Sequence, residues 1–306
     1  MGIPKALQKD QAAANAYLRA RQDVLVGLYV EAERRLLRQL HDPSITSTQR
    51  SRVQALLAQI DRELRRLDKR APDLARDNVG ASYVWGVTAA AAALGIAAVY
   101  TSKVNTSTVS VLTSQMATDL LTMNSSLRQN ARRFAMTSQQ KAIADAALFG
   151  SALEGAVGGT PTSGLLKSLQ QAIAEGKLIT IKGRNYNPAA YAEMLVRTRR
   201  SEAFSQAVIN TSIQAGSDLV QVAPRTHEGN DSICPLYIGK VFSISGKSRY
   251  FPKMGAVPPF HPNCKDTLVP VQEKDIDRRG QLSSLSKLSK SGKPVESMKD
   301  YREALK

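Results

Sequence analysis

Residues 225–270 read RTHEGNDSICPLYIGKVFSISGKSRYFPKMGAVPPFHPNCKDTLVP, and this stretch holds most of the side chains in the chain that can bind a soft metal ion. The whole sequence of 306 residues contains only two cysteines and three histidines. Both cysteines and two of the histidines lie in this stretch, as His227, Cys234, His261 and Cys264. Such a concentration of scarce ligands requires a chemical explanation.

The four side chains form two local pairs. His227 and Cys234 flank the polar turn EGNDSI, and His261 and Cys264 are separated by two residues in HPNC. Between the pairs, residues 238–251 resemble a β-hairpin, which would bring the pairs together. Imidazole and thiolate are ligands that Zn²⁺ prefers in tetrahedral sites. The sequence therefore predicts a structural zinc site formed by these four side chains.

Two other roles for the cysteines stay open. A Cys234–Cys264 disulfide is one alternative, and a pair of buried thiols beside hydrogen-bonded histidines is the other. The first twenty residues, MGIPKALQKDQAAANAYLRA, lack the apolar run of a secretion signal. We therefore expect synthesis in the cytosol, where disulfides are rare.

The same side chains are also compatible with catalysis. A cysteine near a histidine is the smallest pair of nucleophile and base, and Asp231 or Asp266 could orient the imidazole. Histidine, asparagine and aspartate beside positive charge could instead form a metal-dependent nuclease. However, the segment PPFHPN is held by prolines, and no glycine-rich oxyanion turn accompanies either cysteine. We therefore expect that the chain is not an enzyme.

The remainder of the chain predicts a mainly α protein with a small α+β C-terminal domain and a helical hairpin at the N-terminus. Apolar residues at intervals of three to four predict one or two helices in residues 5–40. A second helix is predicted from about residue 50, ending at Pro72. Further along, residues 188–219 are predicted to form two helices or one bent helix, with Gly216 as the C-terminal cap. Alternating residues and turn residues predict a strand pair or a β-turn in 178–188, and alternation predicts a strand in 219–224.

Residues 84–100, VWGVTAAAAALGIAAVY, form a run of 17 residues without a charge. This length falls just short of the roughly 20 residues that a transmembrane helix needs. Small residues allow helices to approach closely. We therefore expect a helix packed in the protein interior or in an oligomer interface, and the alternative is a membrane-active segment.

These patterns divide the chain into four predicted regions. Residues 1–78 form an amphipathic helical hairpin region. Residues 79–160 form a helical region rich in Ala, Ser and Thr that ends in a Gly-rich linker. Residues 161–275 form the α+β domain, and residues 276–306 form a polar, mobile tail.

The formal net charge is +16, and the excess is spread along the chain. A field of this sign attracts nucleic acid, acidic protein surfaces or anionic lipid. Arg197, Arg199 and Arg200 lie together in VRTRR and are the predicted nucleic-acid contacts.

Two blocks in the first-quoted stretch resemble a known family. DSICPLYIGKVFSISG, followed by PPFHPNCKDTLVP, looks like the C-terminal signature of bacteriophage minor head proteins, the Mu F-like and phage minor capsid protein 2 families. The similarity covers residues 190–272 and departs from the family pattern at Lys265 and Asp266, where Arg and a polar or aromatic residue are usual. The matched positions are Asp231, Cys234, Gly239, Lys240, Pro259, His261, Asn263 and Cys264.

The resemblance implies a structural component of phage heads, located in the virion interior after assembly in the host cytoplasm. Its implied partners are the portal protein, the major capsid or scaffold protein, and double-stranded DNA bound without sequence preference. Delivery with the genome and membrane contact on ejection are further expectations. The competing hypothesis is a metal-dependent nuclease or effector enzyme fused to a head-delivery module.

Overall fold

The computed structural model describes residues 11–40, 49–150, 179–181, 184–223, 234, 237–248, 251–262, 264 and 266–272. Within these ranges the chain is mainly helical, with a small antiparallel sheet near the C-terminus, so the predicted fold class is confirmed. The helices are α1 (Gln11–Leu40), α2 (Gln49–Leu94), α3 (Lys103–Gly150) and α4 (Pro188–Gln214). The strands are β1 (Ile179–Ile181), β2 (Arg184–Tyr186), β3 (Leu219–Ala223), β4 (Val241–Ser243) and β5 (Thr267–Pro270).

The described residues group into two compact units, each assembled from separate segments of the chain. The first unit contains the described residues within 1–22, 75–116 and 194–306, and the second contains those within 23–74 and 117–193. Helix α2 is continuous across the predicted division at residues 78 and 79, so no helix ends there. The predicted Gly-rich linker and C-terminal tail lie outside the described residues.

In the first unit, the beginning of α1 packs along α2. Leu18 forms a buried cluster with Ala81 and Trp85, and Arg21 pairs with Asp77 at 2.9 Å. Because later residues of α1 meet earlier residues of α2, the two helices run antiparallel, as the predicted helical hairpin requires.

The prediction that a helix ends at Pro72 is wrong. Pro72 lies inside α2, which continues to Leu94. A proline in a helix interior removes one backbone hydrogen bond and costs about 3 kcal/mol or more. The apolar neighbours Ala71, Leu74 and Ala75 are all buried, and burial of apolar surface stabilises the helix through this point. Packing therefore outweighs the local preference of proline.

The uncharged run of residues 84–100 forms the end of α2 and the segment after it. Trp85, Val87, Ala90 and Ala91 are buried, so the first half of the run packs in the protein interior as predicted, whereas Ile96 and Val99 in the second half are exposed. The helix ends at Leu94, before the run does, because Gly95 adopts a φ of 68°. The amides of Gly95 and Ile96 then bind the carbonyls of Ala92 and Ala91, which is the hydrogen-bond pattern of a Schellman cap.

Within the described residues, no helix has both the length and the apolar character needed to cross a membrane.

Helix α4 is one continuous helix that ends at Gln214, and Gly216 caps it as predicted. The φ of Gly216 is 72°, and the amides of Gly216 and Ser217 bind the carbonyls of Ile213 and Ser212. A buried polar cluster joins α4 to its neighbours in the first unit. Asn210 donates to the hydroxyl of Tyr83 at 2.7 Å, and that hydroxyl lies 2.8 Å from Oδ1 of Asn105 on α3.

The strands form two separate sheets. Strands β1 and β2 pair antiparallel, which confirms the predicted strand pair in residues 178–188. Strand β3, also predicted, is the central strand of a three-stranded antiparallel sheet with β4 on one edge and β5 on the other. Its buried side chains Val220 and Val222 pack with Val208 of α4 and Phe242 of β4.

The predicted hairpin over residues 238–251 is wrong. Strand β4 pairs with β3 instead. On the other edge of β4, Ser243 forms a single parallel β-bridge with Lys253. The intervening chain turns sharply because Asp218 accepts hydrogen bonds from the hydroxyl of Ser243 and the amide of Ser245. Gly246, with a φ of 80°, continues the turn. These contacts replace the ladder that a hairpin would form.

Helices α2 and α4 approach each other closely at Gly86. A Cβ atom there would lie 2.6 Å from the carbonyl oxygen of Phe204 and 2.7 Å from Cβ of Ala207. Gly27 of α1 is the matched control, because a Cβ there would have no heavy atom within 4 Å.

We expect Gly86→Ala to lower the free energy of unfolding by about 1–3 kcal/mol, because the added methyl group forces the two helices apart. Gly27→Ala should raise it by about 0.5–1 kcal/mol through reduced backbone entropy of the unfolded chain. Urea unfolding followed by circular dichroism measures both. Equal effects of the two substitutions would contradict the close contact.

Candidate metal-binding site

Three of the predicted ligands come together in the first unit. The sulfur of Cys234 lies 3.0 Å from Nε2 of His261 and 3.7 Å from the sulfur of Cys264. All three ligand atoms lie within 4.8 Å of one another, a distance that allows them to bind one metal ion. Both cysteines are buried, and His261 is half-buried.

The topology of the small sheet explains why these side chains meet. Strands β4 and β5 both run antiparallel to β3, so both begin at the end where β3 finishes. Cys234 lies shortly before β4, and Cys264 lies shortly before β5. Pairing with β3 therefore brings the segments that carry the two cysteines to the same end of the sheet.

Cys234 begins a tight turn that is fixed to β3. Its carbonyl accepts hydrogen bonds from the amides of Tyr237 and Ile238, at 2.9 and 3.0 Å. The turn closes at Gly239, whose φ of 75° favours glycine, and its amide binds the carbonyl of Val222 at 2.8 Å. The backbone around Cys234 is therefore held directly by the central strand.

Aromatic packing holds the second ligand segment against the first. The ring of Phe260 stacks on Tyr237 with 4.3 Å between ring centroids and an interplanar angle of 18°. Phe260 immediately precedes His261, and Tyr237 lies three residues after Cys234. Offset stacking of this kind contributes about 0.5–1.5 kcal/mol beyond the burial of area. The stack therefore fixes the distance between the two halves of the site.

The hydrogen bonds of His261 select the tautomer that suits a metal ligand. Its Nδ1 lies 2.8 Å from the carbonyl oxygen of Pro262, and a carbonyl can only accept, so Nδ1 carries the proton. The lone pair of the neutral ring is then on Nε2, which faces the sulfur of Cys234. Metal-binding histidines commonly have their other nitrogen oriented in this way.

Asp266 lies beside the site and is fully buried. Its Oδ2 is 3.6 Å from the sulfur of Cys264, and its backbone carbonyl lies 3.4 Å from the hydroxyl of Ser201 on α4. The side chain therefore packs against a ligand without belonging to the three-atom cluster.

The distances fit a tetrahedral thiolate site in part. Two zinc–sulfur bonds of about 2.3 Å at the tetrahedral angle place the sulfurs about 3.8 Å apart, and the observed separation is 3.7 Å. The observed sulfur–nitrogen distance of 3.0 Å is shorter than the about 3.5 Å of a zinc-bound pair. Binding of zinc would therefore replace the contact between Cys234 and His261 and increase the distance between their two ligand atoms. The sulfurs are unbonded, because a disulfide requires about 2.05 Å.

The other predicted site residues divide into two groups. His227, Asp231 and Asn263 lie outside the described residues. Lys240 and Pro259 are described: the carbonyl of Lys240 accepts a hydrogen bond from the amide of Val222, and Pro259 follows a cis peptide bond with Pro258. Burial lowers the pKa of Lys240 below its ordinary value.

The predicted nucleic-acid contacts on α4 bind partners within the first unit. Arg199 lies 2.6 Å from a carboxylate oxygen of Glu202, and Arg200 donates to Gln22 at 2.9 Å. These contacts give Arg199 and Arg200 a role in packing α4. Their role in binding nucleic acid stays a prediction, as does that of Arg197.

Sequence reasoning missed the contribution of Asp218. Although burial raises the pKa of this carboxyl, hydrogen bonds from Ser243 and Ser245 outweigh burial, so the pKa of Asp218 lies below its usual value. Its backbone carbonyl also accepts a hydrogen bond from Ile244 at 2.8 Å. The signal in the sequence is an aspartate directly before a predicted strand, together with the SISGK turn, but only the sheet register pairs them.

A comparison of the chain with models of protein families, with curated proteins and with solved structures found no match in any of the three.

We expect Asp218→Asn to lower the free energy of unfolding at pH 7 by about 1–2 kcal/mol, because charge-assisted hydrogen bonds are lost. A carboxyl with a lowered folded pKa stabilises the fold above its unfolded pKa of about 3.9, and this contribution disappears as the pH falls through the folded pKa. The difference between the proteins should therefore be constant from pH 5 to pH 7 and shrink below about pH 4.

Denaturant unfolding across this pH range measures the difference. The control is Asp23→Asn at an exposed position of α1, which removes the same charge. A difference that persists unchanged at the lowest pH at which the protein folds would be inconsistent with this role of Asp218.

Proposed function

We propose that the chain is a structural minor head protein of a bacteriophage, and that its Cys–His–Cys cluster holds a zinc ion. The observation that carries the proposal is that two ordered sequence blocks, typical of such proteins, meet at one point. Cys234 comes from the first block, and His261 and Cys264 come from the second. The fold therefore brings two blocks that are separated in the sequence together in one site.

A structural role for the zinc ion agrees with the surroundings of the site. Cys234 and Cys264 have exposed fractions of 0% and 1%, which leaves the sulfurs out of reach of a large substrate. Structural zinc sites have four protein ligands, whereas catalytic sites leave one position open. The fourth ligand predicted from the sequence is His227, which lies outside the described residues.

The proposed partners follow from position and charge. A protein in the head interior lies beside densely packed DNA, and the net charge of +16 favours contacts with phosphate that release counterions. Portal and capsid or scaffold proteins are the proposed protein partners. The zinc-stabilised end of the sheet then serves as a fixed surface rather than as a reaction centre.

We expect the purified chain to retain about one zinc ion, and Cys264→Ser to lose it, because a hydroxyl is a poor replacement for a thiolate ligand. Elemental analysis after dialysis measures zinc, and thermal unfolding with and without a chelator measures its effect on stability. Val222→Ala is the control, since it removes buried volume near the site without removing a ligand. A metal-free wild-type protein whose stability does not respond to zinc would refute the zinc site.

The head role is tested with particles purified from the phage or prophage host that encodes the chain. We expect mass spectrometry to detect the chain at low copy number in mature particles or proheads, and affinity purification of the tagged chain to recover the portal protein. Its absence from both particle types, combined with nuclease activity that depends on added metal, would favour the enzyme instead.

A further inference from the structure

Helix α2 presents a row of cations on the side opposite its buried face. Within the second unit, Ile60, Leu64, Leu67 and Ala71 of this helix are buried. On the other side lie five exposed cations, which we name the basic face: Arg62, Arg65, Arg66, Lys69 and Arg70. The helical repeat of 3.6 residues places Arg62 and Lys69 on one line, two turns apart.

The acidic residues among these cations do not cancel them. Residues 61–73 contain four carboxylates, of Asp61, Glu63, Asp68 and Asp73, and residues 128–133 of α3 add three arginines and no acid. The two segments therefore carry eight cations and four carboxylates, a formal excess of four positive charges.

Arg128 of α3 forms ion pairs with two of these four carboxylates. It lies 3.2 Å from Asp61 and forms a second ion pair with Asp68. The hydrogen bond from Arg65 lowers the pKa of Asp61, and the charges of Arg128 and Arg132 lower it further. Arg132 follows Arg128 by one turn on the same side of α3 and is exposed, so the positive potential extends from α2 to α3.

The ion pairs of the basic face are easily exchanged. Arg65 pairs with Asp61 and Arg66 pairs with Glu63, yet these arginine side chains keep exposed fractions of 71% and 65%. Exposed pairs of this kind contribute little to stability. A phosphate group can therefore replace the carboxylate, and the planar guanidinium group binds phosphate through two hydrogen bonds.

The composition of the face favours nucleic acid over a membrane. A helix that binds a lipid surface needs an accessible apolar side to insert among the acyl chains. The apolar side of α2 is buried at Ile60, Leu64 and Leu67. The basic face spans about 12 Å of helix, and duplex DNA carries one charge per about 1.7 Å of its axis. The five cations, one per about 2.4 Å, are spaced between the one charge per about 1.7 Å of the duplex and the one per about 3.4 Å of a single strand, so the row can contact several phosphates.

We propose that the basic face of α2, extended by Arg132 of α3, is the surface through which this protein binds the phosphate backbone of double-stranded DNA. The contact is independent of base sequence, because it involves phosphates alone. This inference rests on the proposed position of the chain beside the packaged genome, and it locates that contact on α2 rather than on Arg197, Arg199 and Arg200.

The test compares two full-length variants that lose the same charge. The face variant carries Arg62→Gln, Arg65→Gln, Arg66→Gln and Lys69→Gln, since glutamine preserves helix propensity. The control variant carries Arg19→Gln, Lys103→Gln, Lys247→Gln and Lys253→Gln, four exposed cations of the first unit. Fluorescence anisotropy measures binding to a labelled 30-base-pair duplex between 50 and 200 mM salt, with circular dichroism as the check on folding.

We expect the face variant to bind at least about tenfold more weakly and the slope of log K against log salt to fall by about 3–4, at about 0.9 per lost phosphate contact. The control variant should stay within a small factor of the wild type. If the face variant does not fold, the double variant Arg62→Gln/Lys69→Gln should give about half of the change in slope.

The contrary outcomes are distinguishable. Wild-type binding that both variants weaken equally would overturn the basic face as the binding surface and leave the DNA contact of the proposed function intact. If the wild type does not bind the duplex at 50 mM salt, both the basic face as a binding surface and the DNA contact of the proposed function are refuted. Binding to vesicles rich in anionic lipid but not to DNA would assign the face to a membrane instead.

Discussion

Pairing of β3 with a strand on each edge is the constraint on which the candidate metal site depends. Because β4 and β5 both oppose β3, the segments that precede them must converge at one end of the sheet. Cys234 and Cys264 lie in these segments. The hydrogen bonds of Val222 with Gly239 and Lys240 fix the position of the segment with Cys234 relative to β3. The register between β3 and β5 fixes the position of the segment with Cys264. The ligand geometry is thus a property of the sheet.

The helices of the first unit support this sheet from one side. Val208 of α4 and Ala90 of α2 belong to the same buried cluster as Val220 and Phe242 of the sheet. Helix α4 can share that cluster with α2 because Gly86 allows the two backbones to approach closely. A larger residue at Gly86 would therefore displace packed side chains as far as the sheet, because protein interiors are as densely packed as organic crystals.

Local patterns in the sequence predicted the helices, the strand pair and β3, because apolar periodicity and glycine caps act over a few residues. Non-local contacts decided the remainder. Pro72 stays helical because its neighbours are buried, and β4 pairs with β3 because Asp218 holds the turn that follows β4. The sequence also predicted three ligands that the sheet brings together, but by way of a hairpin that does not form. The tautomer of His261 depends on the carbonyl of Pro262, and only the folded loop places that group.

The register of the central strand also has a consequence for how the chain folds. Ala223 pairs with Thr267, 44 residues further along the chain, whereas the backbone hydrogen bonds within a helix join residues only four apart. Pairings between distant residues carry a large loop-closure entropy and make folding slow. The sheet should therefore form after the helices, and the segments that carry Cys234 and Cys264 meet only once it has formed.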